Sequence, residues 1–207
     1  MIANDLHGCL TFLREAERLK SVLRSGHSSS GRAESTAEHS WRLCLMAMVF
    51  AKEWDGLDLG RMLQLCVLHD LGEALHGDVP AVSQTGQADK SAQERADLQT
   101  LMQSLPPAQS AHFMGLWEEY ENALSPEARI VKGLDKLETI LQHNQGVNPP
   151  DFDYGFNLDY GQKHMAAHPL LGQIRALLDA QTRQRQTDAS SAAAQALSTQ
   201  DASSAPA

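Results

Sequence analysis

The residues best suited to chemistry sit at the end of an apolar run. Leu63–Gly77 reads Leu-Gln-Leu-Cys-Val-Leu-His-Asp-Leu-Gly-Glu-Ala-Leu-His-Gly. It brings His69 and Asp70 to the foot of a helix with almost no polar face, which marks a central helix rather than a surface one. Burying a charge in such a setting is costly unless it is paired or coordinates a metal. A neutral imidazole beside a carboxylate can anchor a divalent cation. On the dipeptide alone, a core histidine hydrogen-bonded to its neighbour is the plainer reading. The surroundings shift that balance. Glu73, His76 and Asp78 follow, with no Lys or Arg before Lys90. A solvated helix end would mix in basic residues, so the cluster reads as the lip of an active site. Glu73 lies one turn beyond Asp70, near the same helix face.

Other candidates are scattered. His39 falls in the first turn of a helix that Ser35 and Glu38 open as a capping box, so the helix starts at about Thr36. The rest of that helix is almost wholly apolar and is expected to be buried. Arg24 and His27 stand near the end of a first helix running from about Asn4 to Arg24. Alone they read as a solvated helix end, where a basic residue suits the dipole. Asp135 flanks the apolar face Ile130, Leu134, Leu137 and Leu141 of a later helix. Alone it reads as a surface carboxylate paired with Lys132 or Lys136.

The elements that must position these groups are helices. Leu6, Cys9, Leu10, Leu13 and Ala16 give the first helix its apolar face. Ser25-Gly26 stops it, and Ser28–Gly31 is expected to be a flexible loop. After Gly77-Asp78-Val79-Pro80 and a polar loop over Ser83–Asp89, further helices are expected at about Asp89–Gln103 and Ala108–Ala123. Trp117 and Tyr120 should pack inward from the second of these, with His112 on the surface. Ser125 as N-cap and Pro126 at the first position open the next helix. Asn148–Tyr160 reads as an ordered loop or lid, and the last helix runs from Leu170 to about Gln184. From Gln186 on, the Ala/Ser/Gln/Thr composition lacks apolar periodicity and is expected to be disordered. The reading is thus one all-α domain, a compact helical bundle over residues 1–185, with a tail over 186–207.

Composition narrows the function. A net charge of -9 disfavours a general nucleic-acid surface, which needs basic residues for phosphate contacts, but leaves room for a pocket holding one phosphate. Cys9, Cys44 and Cys66 have no CxxC spacing and read as reduced core residues of a cytoplasmic protein. No apolar run approaches the roughly 20 residues of a membrane span, and no signal-peptide pattern opens the chain.

His39, then His69-Asp70, then Asp135 gives the order H…HD…D across a helical chain. This resembles the HD-domain metal-dependent phosphohydrolases over about Leu10 to Leu178. Finer matches are Arg-Leu-Lys-x-x-x-Arg at 18–24, Glu-Ser-Thr-Ala-Glu-His at 34–39, His-Asp-Leu-Gly-Glu-Ala at 69–74 and Gly-Asp-Val-Pro at 77–80. Leu-Trp-Glu-Glu-Tyr-Glu at 116–121 and Val-Lys-x-Leu-Asp-Lys at 131–136 match as well. Together they are similar to the 5′-deoxynucleotidase branch.

The resemblance implies that His39, His69, Asp70 and Asp135 ligate one divalent ion. Two nitrogens and two carboxylates leave room for water, which suits Mn, Co, Fe, Ni or Mg better than a closed Zn site. It implies acid/base work for Glu73 and a pocket position for Asp78, which protonates the leaving oxygen or contacts the sugar. It implies that Arg24 holds the substrate phosphate. The implied reaction is metal-assisted hydrolysis of a deoxyribonucleoside 5′-monophosphate to nucleoside and phosphate, by a protein that pairs into homodimers, with the Trp117 region contributing. Two positions depart from the pattern. His27 stands where the family commonly has a tryptophan that helps define the sugar pocket, so His27 becomes a candidate substrate contact. His76 replaces an apolar residue or threonine, and is expected to face water rather than phosphate. Rival readings are another HD-type phosphohydrolase or phosphodiesterase, a dinuclear oxygenase, or a non-catalytic HD module. A second ion would have only His76 and His112 to draw on between the central helix and Asp135.

Overall fold

The helix that carries Asp135 is the one around which the others assemble. The computed structural model describes residues 3–78 and 87–203, with side chains described for 3–78 and 90–191. Helix α7 spans Pro126–Gln145, with Ser125 as N-cap accepting the Ala128 amide at 3.0 Å and Pro126 in the first turn. Ile130, Leu134, Leu137 and Ile140 are buried on it. It packs against α2 (Thr36–Val49), α3 (Leu59–Leu68), α6 (Pro107–Glu121) and α9 (Pro169–Ser203). Gly133 allows the close approach to α9, because a Cβ there would collide with the Leu171 side chain. Helices α1 (Ala3–Ala16) and α5 (Gln87–Leu101) and the short α4 (Glu73–His76) and α8 (Phe156–Asp159) complete the bundle. No helix among the described residues is long and apolar enough to cross a membrane.

The capping box is present as expected: Ser35 accepts the Glu38 amide, Glu38 accepts the Ser35 amide, and α2 starts at Thr36. Trp117 and Tyr120 are buried. Burying Trp117 removes it as an exposed contact between copies of the chain. The exposed tryptophan is Trp41.

Four expectations need correction. Helix α1 stops at Ala16, and after a 3-10 turn the chain is extended from Val22. Leu23–His27 forms strand β1, antiparallel to β2, Ala33–Ser35. Arg24 therefore sits on a strand, and Ser28–Gly31 is a tight turn in which Ser28 N–H donates to the Arg32 carbonyl at 2.7 Å. Gly31 takes φ +82, where an L side chain would be strained. The strand follows from tertiary fit: Gly26 lies so close to His143 that a Cβ would stand 2.9 Å from its ring.

The run through His69 is not one helix. It ends at Leu68, and i→i+3 bonds such as Glu73 N–H to the Asp70 carbonyl, 3.0 Å, tighten the chain before α4. Gly72 is required here, since its Cβ would meet the Glu94 carbonyl oxygen of α5 at 2.6 Å.

The apolar surfaces of α1 and α2 are not wholly inward. Leu6, Leu10 and Leu13 are exposed on α1, where Phe12 is buried instead. Trp41, Leu45, Met48 and Val49 are exposed on α2. An all-apolar helix at the edge of a bundle has an outside that periodicity does not reveal.

Finally, α9 begins at Pro169 as expected but continues to Ser203 rather than ending near Gln184. Ala and Gln sustain a helix by propensity, while Thr182 is its last buried residue among those described. Val79 and Pro80, and 83–86 of the expected polar loop, lie outside the described residues.

Candidate functional site

Three segments converge on one point. His39 comes from the first turn of α2, His69 and Asp70 from the turn after α3, and Asp135 from the middle of α7. His39 and Asp135 are buried. His39 Nε2 lies 3.2 Å from Asp135 Oδ1 and 3.8 Å from Asp70 Oδ2, and His69 Nε2 lies 3.0 Å from Asp70 Oδ2. One donor atom from each of His39, His69 and Asp70 falls within 4.8 Å of the other two. Asp135 joins the group through its contact with His39.

Both Nε2 atoms are buried and make no aligned hydrogen bond among the described residues. An orphaned buried ring nitrogen is costly, and two aimed at the same carboxylates fit a divalent cation. Two imidazoles and two carboxylates are a donor set for Mn, Fe, Co, Ni, Mg or Zn.

The opposite edges of the rings are fixed. His39 Nδ1 is held by Glu138, which also accepts from Arg42 Nε at 2.6 Å. His69 Nδ1 donates to the Cys66 carbonyl at 2.9 Å. Such partners fix the tautomer and turn the second nitrogen outward. Asp135 is steadied through Oδ2, which accepts from Tyr120 Oη at 2.6 Å and Lys136 Nζ at 2.8 Å. Burial and Arg24 press the His39 pKa down, but Glu138 and Asp135 outweigh them and carry it up to about 10. Burial favours a neutral Asp135, yet Lys136 and the two histidines hold it well below the usual carboxylate range. Ion entry would therefore displace a proton from His39. Glu34, His39 and Glu138 form a second acidic trio. It shares His39 with the first, and Arg42 already neutralises Glu138, so it serves as support for the first cluster.

His69, Asp70 and Asp135, though not His39, line a cavity of about 660 Å³ together with Arg24, Glu73, Asp78, Lys90 and Thr139 among others. Glu73 is buried, accepts from Thr36 Oγ1 at 3.3 Å and faces Lys90 Nζ at 3.4 Å. Burial, then Asp70 and Asp78, push its pKa up to about 9. Asp78 Oδ1 is 3.9 Å from Lys90 Nζ. Arg24 spans from Asp70 Oδ2, 3.4 Å, to Thr139 Oγ1, 3.1 Å, leaving a guanidinium at the edge of the donor group.

One expected contact differs and one agrees. His27 is not among the residues lining the cavity; its amide donates to Asn148 Oδ1 at 3.0 Å and its carbonyl accepts from Gln142. The strand places Arg24 at the cavity, while His27, beyond Gly26, lies past its edge. His76 is mostly exposed, with Nδ1 2.7 Å from Asp97 Oδ2, in keeping with the water-facing expectation.

Glu138 and Arg42 were not legible as site residues, whereas Lys136 was read as a partner of Asp135 and is one. Glu138 sits three positions after Asp135 on a helix rich in charge, where a carboxylate ordinarily faces solvent. The available signal was that i,i+3 spacing, which puts it beside Asp135.

A helical bundle that brings His, His-Asp and Asp in that chain order to one cavity defines a class of ion-holding domain. The chain belongs to the HD domain family, which its residues 16–175 match. It is 36% identical over 138 residues to the 5′-deoxynucleotidase HDDC2 of Homo sapiens, covering 66% of this chain and 67% of that one. To the Mus musculus protein of the same name it is 35% identical over 140 residues, covering 67% and 69%. Among solved structures it is similar to a predicted metal-dependent phosphohydrolase from Magnetospirillum magnetotacticum MS-1, with TM-score 0.75 and 30% identity, covering 87% of this chain and 94% of that one.

Proposed function

We propose that this protein is a metal-dependent phosphomonoester hydrolase acting on deoxyribonucleoside 5′-monophosphates. The observation that carries the reading is the pair of buried Nε2 atoms of His39 and His69, without an aligned hydrogen-bond partner among the described residues, facing Asp70 and Asp135, with His69, Asp70, Asp135 and Arg24 lining one cavity. The cavity is within the usual range for a small-molecule site, about 300–1,000 Å³. The relatives named 5′-deoxynucleotidase support the substrate class.

His39, His69, Asp70 and Asp135 would hold one divalent ion. When bound, it supplies Lewis-acid polarisation of the phosphoryl group and lowers the pKa of a water. Arg24 binds phosphate oxygens and offsets charge that grows in the transition state; guanidinium geometry suits that task. Thr139 and Asp70 hold it in place. Glu73, buried beside Thr36 and Lys90, positions the attacking water; with the positive charge of a bound ion offsetting Asp70 and Asp78, its carboxylate would take up the water's proton. Asp78 protonates the departing 5′-oxygen or contacts the sugar. Water adds to phosphorus as the ester P–O bond breaks, and the departing 5′-oxygen takes its proton from Asp78 or, where Asp78 contacts the sugar, from solvent, giving nucleoside and inorganic phosphate.

We read the protein further as a cytoplasmic homodimer. Free Cys9, Cys44 and Cys66 support the compartment, and the exposed α2 stripe of Trp41, Leu45, Met48 and Val49 supports pairing of two copies.

The test is phosphate release from a panel of ribo- and deoxyribonucleoside 5′-monophosphates after chelation, with Mn or Co restored. Release dependent on the ion and favouring 5′-monophosphates supports the reading. No release from any monophosphate with either ion would overturn it.

A further inference from the structure

The candidate ion donors and Arg24 account for one part of the cavity lining. Another part is aromatic. The chain has only five Phe and three Tyr, yet Phe152, Phe156 and Tyr160 line this cavity together with Tyr120. Tyr120 is committed to Asp135 through its hydroxyl. The other three are half-buried rings on one short stretch, residues 152–160.

That segment is held rigidly. Buried Arg175 donates to the carbonyls of Asn157 at 2.7 Å, Tyr160 at 2.6 Å and Leu158, and is itself paired with Asp179. Asn157 is fully buried and its Oδ1 contacts His143 Nδ1 at 2.8 Å. Asn148 Nδ2 donates to the His143 carbonyl at 2.7 Å and to Tyr154 Oη at 3.1 Å. The Phe156 and Tyr160 rings lie 5.2 Å apart, and Phe152 meets His143 edge-on at 4.8 Å. Lys136 joins this wall to the ion donors: its Nζ is 2.8 Å from Asp135 Oδ2 and 5.2 Å from the Tyr160 ring centre.

A guanidinium spent on holding three backbone carbonyls makes a pre-formed surface, and partly exposed rings on a fixed surface favour a flat apolar partner. We propose that Phe152, Phe156 and Tyr160 form a stacking wall for the nucleobase of the substrate. The inference rests on the nucleotide reading above and deepens it. The wall offers partly exposed aromatic rings, and the carbonyls of 157, 158 and 160 are already occupied. Every base has a π face, so such a wall accepts purines and pyrimidines alike and separates a nucleotide from an abasic sugar phosphate.

The test compares deoxyribonucleoside 5′-monophosphates of all four bases with 2-deoxyribose 5-phosphate in Mn-loaded protein. In Phe156→Leu, the ratio of kcat/KM for nucleotide over abasic substrate falls about tenfold, by a similar factor for each base. Phe156→Tyr restores it. Phe152→Leu is the second variant should the first lose its circular dichroism spectrum. Calorimetric binding of deoxynucleosides in the absence of turnover reads the same contrast independently. If hydrolysis proceeds but the ratio is unmoved in both variants, or if a single base is lost and the others kept, the wall is overturned. If no monophosphate is hydrolysed but binding weakens in the variants, the wall stands and the proposed reaction falls.

Discussion

The Nδ1 edge of His39 is held by the buried carboxylate of Glu138, so that Nε2 is presented to Asp135 3.2 Å away. One helix, α7, thus supplies both a candidate ion ligand and, one turn later, the group that aims another. Asp135 alone is not sufficient. The ring of His39 has two nitrogens, and without Glu138 nothing selects between them.

Replacing Glu138 by Gln should therefore weaken ion binding by about 10- to 100-fold. The amide keeps the shape but removes the charge shared by His39 and Arg42. Competition with a metal-sensitive dye measures the loss, and an unchanged circular dichroism spectrum shows that it is not unfolding. An unaltered ion affinity would remove Glu138 from the account.

Arg24→Lys should lower kcat/KM for a nucleoside monophosphate by roughly 10²–10³. An ammonium cannot span from Asp70 to Thr139 while presenting two parallel donors to phosphate. Ion binding should survive, since Arg24 is not a donor to the cation. Steady-state kinetics beside a metal titration separate the two, and equal loss of both would make Arg24 a structural residue.

Gly72→Ala should destabilise the fold by about 1–3 kcal/mol, because the added methyl group meets the Glu94 carbonyl oxygen at 2.6 Å and α4 must move from α5. Thermal melting checks this. As α4 begins with Glu73, activity should fall further than ion affinity.

Much of the site was legible because it is improbable chemistry in an apolar setting. His69-Asp70 at the foot of a leucine-rich run and His39 behind a capping box announce themselves by type and position, and the capping box also fixed the start of α2. The rest depended on contacts between distant segments. Strand β1 was hidden because Leu23-Arg24-Ser25-Gly26-His27 has no strand periodicity, and its place is set by Gly26 against His143. The break at Leu68 was hidden because Gly72 shows its purpose only against Glu94 of α5. The exposed face of α2 was hidden because Trp41, Leu45, Met48 and Val49 read as core by composition alone.

The buried carboxyl of Glu34 gives a pH signature. Burial, then the negative charge of Glu138, raises its pKa from 4.5 to about 7. The folded state then binds more protons than the unfolded state between those values. Its contribution to stability is full below about pH 4.5 and is lost as pH rises through about 7. In chelated protein, Glu34→Gln should lose less melting temperature between pH 6 and pH 8 than the parent. Parallel curves for the two proteins would contradict the assignment.

The central claim is that His39, His69, Asp70 and Asp135 share one divalent ion. Its most direct measurement is the manganese bound per chain after equilibrium dialysis, in the parent and in His39→Ala, Asp70→Asn and Asp135→Asn variants that retain helical dichroism. The account predicts one ion per parent chain and none in the variants at the same free manganese. Full retention of the ion by the folded variants would contradict it.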